Sequence, residues 1–418
     1  MSVQGESNRL LTDDIIVKEA LRLLKNNLVT APLVHRDLEK RFAKVGDVIS
    51  LQKPFRTKTS SGRVLQKQPM IDRTIPFEIN RQQHFGLEVT MRDRTLSIEQ
   101  FSERYLKSGI IQLANVIDRS ILLEMKKAFF SSNTPGNAIG TKQFHLAKAY
   151  MGNVAVPDDG NCRSILNMLD AAEISDEISN KNNEAMVKAA LQKGYMGPLA
   201  GFDMFQSANI PTHTVGAYGG TPLVNGTTNT GDTLVTDGWD TSVTGLLKMG
   251  DVFQIAGVYE INPQSYQSTG RLQNFVVTDD VDSDGTGNAT IPISPAINDG
   301  TLTTTDAEGA TLSLAGYQNV TVAPADNAAI TVLGDPDTTY RQNFLFHRDA
   351  AALAMVDLEL PQSATVKSRV RDPDSGLSLS MTGAYDINEQ TEITRVDAVW
   401  GTHLIYPELA HRMWSAQG

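Results

Sequence analysis

Between Val215 and Thr338 the chain changes character, and this change limits what the whole can fold into. The stretch holds two basic residues, Lys248 and Arg271, against fifteen Asp and Glu, a net charge of −13. The rest of the 418-residue chain balances to +2, so the total of −11 belongs to one central block. The block is dense in Thr, Gly, Asn and Asp. Short apolar alternations such as Asp251–Tyr259, Arg271–Thr278 and Ala310–Ala315 sit between turn residues, without helical periodicity. Closely spaced short strands of this kind predict an all-β barrel or sandwich. Because host-like sequence resumes on both sides, 215–338 reads as an inserted domain, which requires its two ends to lie close together.

The flanking sequence is mixed α and β. Thr12–Leu28 has an amphipathic pattern, with Ile16, Ala20, Leu23, Leu24 and Leu28 on one side and Asp13 and Asp14 suited to the helix N-terminus. Val45–Leu51 and Ile75–Asn80 alternate as strands. Between them Gln52–Arg73 carries Lys53, Arg56, Lys58, Arg63, Lys67 and Arg73 against a single acid, Asp72, with Ser60-Ser61-Gly62 as the expected tip. Half of this stretch, fully extended, reaches about 35 Å at ~3.3 Å per residue. The expectation is a basic hairpin that stays off its own domain and lies on a neighbour. Ser97–Phe130 has the strongest helical pattern, ended by Asn133–Gly136, with Gly109 as a weak point. At ~1.5 Å per residue such a helix is about 50 Å long, which suits an elongated plate. Phe144–Ile210 alternates helix and strand, Phe344–Leu360 is apolar, and strands are expected at Leu377–Met381, Ala384–Ile387 and Thr394–Gly401 before an apolar tail at Pro407–Trp414.

Taken in order, these segments resemble one family. A basic extended loop, a long helix, Gly201-Phe202-Asp203, an inserted β block and the ending Thr394–Trp414 (TRVDAVWGTHLIYPELAHRMW) are similar to tailed-bacteriophage major capsid proteins with the Hong Kong 97 phage-type fold. More narrowly, the chain resembles the Salmonella-type podovirus coat protein group. The resemblance implies an α+β phage major-capsid fold. It places an N-terminal arm at 1–44, an extended-loop hairpin at 45–80, and a peripheral domain with its spine helix at 81–143 and 362–418. The axial domain falls at 144–214 and 339–361, and the inserted all-β domain at 215–338. It implies a shell subunit that assembles with itself into pentamers and hexamers, together with a scaffolding protein and a portal, around double-stranded DNA. Assembly is then expected in the host cytoplasm and residence in the virion. The basic residues of Gln52–Arg73 become candidates for the subunit interface. In the region 220–241 the chain is shorter than relatives with a charged loop, so a loop-mediated two-fold contact is not expected.

Composition is consistent with this reading. With 40% apolar and 20% charged residues the chain can bury a core. Its acidity argues against tight phosphate binding, which needs basic clusters, and a container for DNA must let its cargo slide. Cys162 is the lone cysteine, so no internal disulfide is expected. The N-terminus lacks the basic start and apolar core of a signal peptide, and no apolar run has membrane-span length.

Sites of chemistry are hard to find. Asp279–Asn288 (DDVDSDGTGN) opens like a calcium loop, but its twelfth position, counted from Asp280, is Ile291 where a bidentate Glu is needed, so a hairpin turn is the expectation. Gly136–Lys142 and Gly216–Gly220 lack phosphate-loop and dinucleotide spacing. Cys162 and Ser207 have no visible partners, the seven histidines are scattered, and Asp357 and Glu359 read as one face of a strand. Neither enzyme, metal nor cofactor is therefore expected. The alternative reading is a carbohydrate-binding or surface structural protein with a β-sandwich module. It is disfavoured by three tryptophans and the long helix.

Overall fold

The computed structural model describes residues 13–36, 48–59, 61–64, 70–71, 73–90, 102–179, 197–227, 229–305, 311–362, 366–373, 375–388 and 391–418. Of the expected features, Thr12, Ser97–Phe101, Ser60, Lys67 and Asp72 lie outside them. The chain forms two units, one from 1–51, 76–121 and 352–403, the other from 52–75, 122–351 and 404–418.

In the first unit, helix α1 (Asp13–Asn27) buries Ile16, Ala20 and Leu24 of the predicted apolar stripe together with Val17 and Leu21, which lie outside it, while Leu23 is only half-buried. It packs against two antiparallel strands, Val366–Arg371 and Ser378–Asp386. The long strand Thr391–Leu404 continues this sheet, pairing on one side with Ser378–Asp386 and on the other with Arg81–Thr90. Turn residues at 387–388 separate the two strands that the apolar pattern places there, and Ala384–Ile387 is the end of the first strand rather than a strand of its own. The short strand Ala351–Met355, wholly buried, adds to the same sheet.

The long helix α2 spans Lys107–Met125 and is preceded by a π-helical turn, Ser102–Leu106. It is about 28 Å long at ~1.5 Å per residue. The predicted end near Phe130 is corrected: Phe130–Ser132 is a strand pairing in parallel with His411–Met413. Apolar spacing continues past Met125, but ladder pairing with the C-terminal strand decides the conformation. Gly109 is explained by packing. A Cβ there would sit 2.5 Å from the Phe85 ring, so the helix and strand meet where the side chain is missing.

The second unit has a central sheet ordered Phe130–Ser132, Ala410–Gln417, Thr339–His347, Cys162–Leu166, Asp203–Gln206. The expected apolar tail is thus a corrected reading: Ala410–Gln417 is an inner strand of this sheet, buried from Ala410 to Ser415. Residues 410–417 therefore share a sheet with segments that the resemblance assigns to the axial domain. Helices α3 (Thr141–Asn153) and α4 (Met168–Ser179) enclose a core with this sheet, including Phe144, Ile174, Phe202 and Leu345.

The inserted block forms its own sheet, built entirely within 220–332. The strand order is Ile330–Val332, Val252–Ile261, Ser268–Val277, Ala289–Ile297, Gly231–Trp239, Gly220–Val224. The two end strands meet: Val224 N donates to Ala328 O at 3.0 Å and Asn327 N to Val224 O at 2.8 Å. The sheet is a closed six-stranded barrel, which removes its free edges. Leu234 and Thr236 on one strand, and Ala289, Ile291 and Ile293 on the next, face inward at period two, and Trp239 turns inward after the positive-φ Gly238. The Trp239 indole donates to Thr236 Oγ1 at 2.8 Å, which in turn donates to Ala289 O. The insert's ends come together as insertion requires, with Thr214 opposite Thr339 and Val215 N donating to Thr338 O.

Candidate subunit-interface surface

Strands Val48–Gln52 and Thr74–Glu78 form a two-stranded ladder, continued by Lys53 N to Arg73 O at 2.7 Å. The hairpin predicted from alternation is therefore present at its base. Beyond this ladder the contacts differ from expectation. Lys53 lies over the Tyr406 ring at 5.6 Å, Lys58 over Tyr266 at 4.9 Å and Arg73 over Tyr317 at 4.7 Å. Arg56 pairs with Glu408 at 3.3 Å, and Lys58 Nζ donates to Gln318 Oε1 at 3.0 Å. Tyr266 OH donates to Thr57 O and Gly316 O. A Cβ at Gly316 would meet Arg56 O at 2.6 Å, so the backbones approach where only glycine fits. The expectation that the hairpin stays clear of its own subunit is corrected for this half. Four of the six basic candidates rest on their own unit, Lys53, Lys58 and Arg73 on tyrosine faces and Arg56 on the Glu408 carboxylate.

Arg63 is different. It is exposed beside Gly62, as is Val64 (82%), and Met70 on the returning side of the hairpin is 80% exposed. Among the described residues the hairpin thus has a docked base and an exposed basic and apolar distal part.

The acidic turn is also resolved by its hydrogen bonds. Asp280 accepts from Met249 N at 2.8 Å and Asp282 from Gly245 N at 2.6 Å. The Asp284 carboxylate accepts from the backbone of Thr286 and Asn288 and from both side chains. Those bonds, led by the Asn288 N–H and the Thr286 hydroxyl, hold its pKa down to about 2. The carboxylates are tied to separate backbone groups and act as braces for the 240–250 loop. Among the described residues, no three His, Cys, Asp or Glu side chains converge as metal ligands would.

The other sequence candidates disperse. Cys162 is buried on a strand, its thiol pushed up by burial while the Lys148 ammonium at 3.4 Å opposes the shift. Ser207 is buried and its Oγ accepts from Asn209 N. Asp357 and Glu359 do not sit on a strand, which corrects that reading; Asp357 pairs with Arg371 at 3.2 Å. Gly216 lies at the insert boundary, donating its N–H to Asp251. Among the described residues no helix is long and apolar enough to cross a membrane.

Three buried polar groups went unseen in the sequence. At the insert junction His213 Nε2 lies 2.7 Å from Asp251 Oδ1, and Asp251 Oδ2 accepts from Gly216 N and Lys248 N. Arg412, fully buried, donates to Lys126 O and Gly250 O and lies over Trp414. Burial pulls the Arg412 pKa down to about 9, against the favourable charge of Asp251. Burial likewise lowers His213, with Asp251 opposing. In the first unit Asp118, also fully buried, accepts from the N–H groups of Val29, Thr30 and Ala31. It holds the chain where it leaves α1. Apart from Lys248 and Trp414, these partners are dozens to hundreds of residues apart, and no local motif signals them.

A family model described as P22 coat protein, gene protein 5, matches residues 8–413. No curated protein matches the chain by sequence. Among solved structures, the chain is similar to one from Mycobacterium phage Che8, at 13% identity over 92% of this chain and 90% of that one, TM-score 0.45. It is similar to the capsid of the cyanophage P-SCSP1u, at 9% identity over 100% and 93%, TM-score 0.41. The CUS-3 coat protein I-domain aligns at 28% identity over 29% of this chain and 98% of that domain, TM-score 0.17.

Proposed function

The chain belongs to the P22 coat protein family, and from that premise we propose how its surfaces serve the shell. It is a major capsid protein that forms the shell of a tailed phage. The proposal is that the hairpin tip, Arg63 with Val64 and Met70, lies on a neighbouring copy in the assembled shell. The basic candidates Lys53, Arg56, Lys58 and Arg73 act one step back, fixing the base so that the tip is presented in one direction. The observation that carries this is the exposure of Val64 and Met70. Apolar side chains on a hairpin tip gain most from burial, roughly 1.5–3 kcal/mol each when fully covered. Many copies of such a modest contact sum to a stable closed surface.

In this reading the first unit serves as the peripheral domain, and the central sheet of the second as the axial domain. The barrel at 215–338 is the inserted module. Copies group as pentamers and hexamers in an icosahedral shell, assembled in the host cytoplasm with a scaffolding protein around a portal, and double-stranded DNA is held without sequence readout. The net charge of −11 supports the last point, since DNA has to slide during filling. No catalytic role is assigned.

The test is a triple variant, Arg63→Glu, Val64→Ser and Met70→Ser, which leaves the docked base intact. The free subunit should melt within about 0.5 kcal/mol of wild type, as surface changes usually do. Sedimentation should show the assembled fraction falling at least tenfold. Assembly at the wild-type level would overturn the role given to the tip.

A further inference from the structure

The docked base of the hairpin and the barrel enclose a cavity of about 340 Å³. That is within the range of ligand pockets, about 300–1,000 Å³. Three cationic residues line it: Lys53, Arg56 and Arg73. Two carboxylates also line it, and both are engaged. Glu408 pairs with Arg56. Glu260, 2% exposed, accepts from Thr269 Oγ1 at 3.0 Å. Lys53 and Arg73 are left with aromatic faces alone, Tyr406 and Tyr317, and no carboxylate within ion-pair distance among the described residues. Their charges also oppose one another. Burial lowers the Lys53 pKa; Glu408 counters this, and Arg73 and Arg56 add to it. The remaining wall mixes apolar side chains, including Phe129, Phe130, Leu302 and Leu314, with uncharged polar ones.

We propose that this cavity binds an acidic peptide segment of a partner chain, a glutamate or aspartate flanked by apolar side chains. Excess positive charge at a half-enclosed site favours an entering carboxylate, and a guanidinium grips one with two parallel hydrogen bonds. Inorganic phosphate would leave the apolar wall unused. A fatty tail needs a continuous apolar wall, and here Gln273, Ser294, Asn298, Gln318 and Asn319 interrupt it, which suits the alternating side chains of a peptide better. The site lies at the hairpin's base, so the inference is separate from the role given to the tip.

The test is calorimetry on the full-length chain kept dispersed below its assembly concentration. The probe is a capped pentapeptide of alternating leucine and glutamate, and the control is the same peptide with glutamine. The glutamate peptide should bind at least tenfold more tightly than the control and weaken as salt screens the charges. Arg73→Gln and Lys53→Met should each weaken it at least tenfold. The second variant guards against the first acting through the hairpin's fold, and unchanged melting checks both. Equal binding of the two peptides would overturn the proposal, as would no binding at all. So would displacement of the peptide by octanoate or by inorganic phosphate at equal concentration, which would assign the site to a fatty carboxylate or a free anion.

Discussion

At the scale of single residues, two buried ionisable groups should give the subunit opposite responses to acid. Asp118 has its pKa raised to about 6, chiefly by burial, although three backbone N–H bonds pull it back. Between about pH 4 and 6 the folded chain holds a proton here that the unfolded chain releases. This contribution is therefore greatest below pH 4 and is lost as pH rises through 6, amounting to about 3 kcal/mol at most. Asp118→Asn should remove that slope from melts recorded between pH 4 and 7. His411 behaves in the reverse sense. Full burial, reinforced by the Arg271 charge, pushes its pKa down to about 3. The unfolded chain takes up a proton below about pH 6.5 that the folded chain refuses, so stability falls as pH drops. At pH 5 the loss from this residue is about 2 kcal/mol. His411→Leu should leave stability at pH 7.5 within about 1.5 kcal/mol and raise it relative to wild type at pH 5. An unchanged pH profile in either variant would contradict the assignment of that group.

At the scale of elements, the meeting of α2 with Arg81–Thr90 makes a sharp case. Helix propensity alone says that Gly109→Ala gains about 1 kcal/mol. The Phe85 ring occupies the place of the new methyl, so overpacking should win, with a net loss of about 1–2 kcal/mol in chemical denaturation. A more stable variant would mean that helix and strand do not pack as described. Legibility followed the reach of the signal. Strands of the barrel were readable because inward residues such as Ile291 and Ile293 alternate over a few positions. The helix C-terminus was not, because Phe130 is drawn into a ladder with His411, almost three hundred residues away. The hairpin's base was misjudged for the same reason: Tyr266, Tyr317 and Tyr406 are remote in sequence, and nothing near Lys53 or Arg73 announces them.

At the scale of the molecule, charge and architecture agree. The acidic block is a closed barrel entered and left side by side at Thr214 and Thr339. The stretch DDVDSDGTGN, which opened like a calcium loop, braces that barrel's 240–250 loop through Asp280 and Asp282. The order of segments along the sequence carried the family, while the buried His213–Asp251 pair at the junction needed three-dimensional structure. Copies of such a chain close into a shell. Negative-stain electron microscopy of the protein, expressed with the scaffolding protein proposed above, is the decisive check. The prediction is closed shells of uniform diameter, with capsomer rings as intermediates; a chain that stays monomeric under these conditions would contradict it.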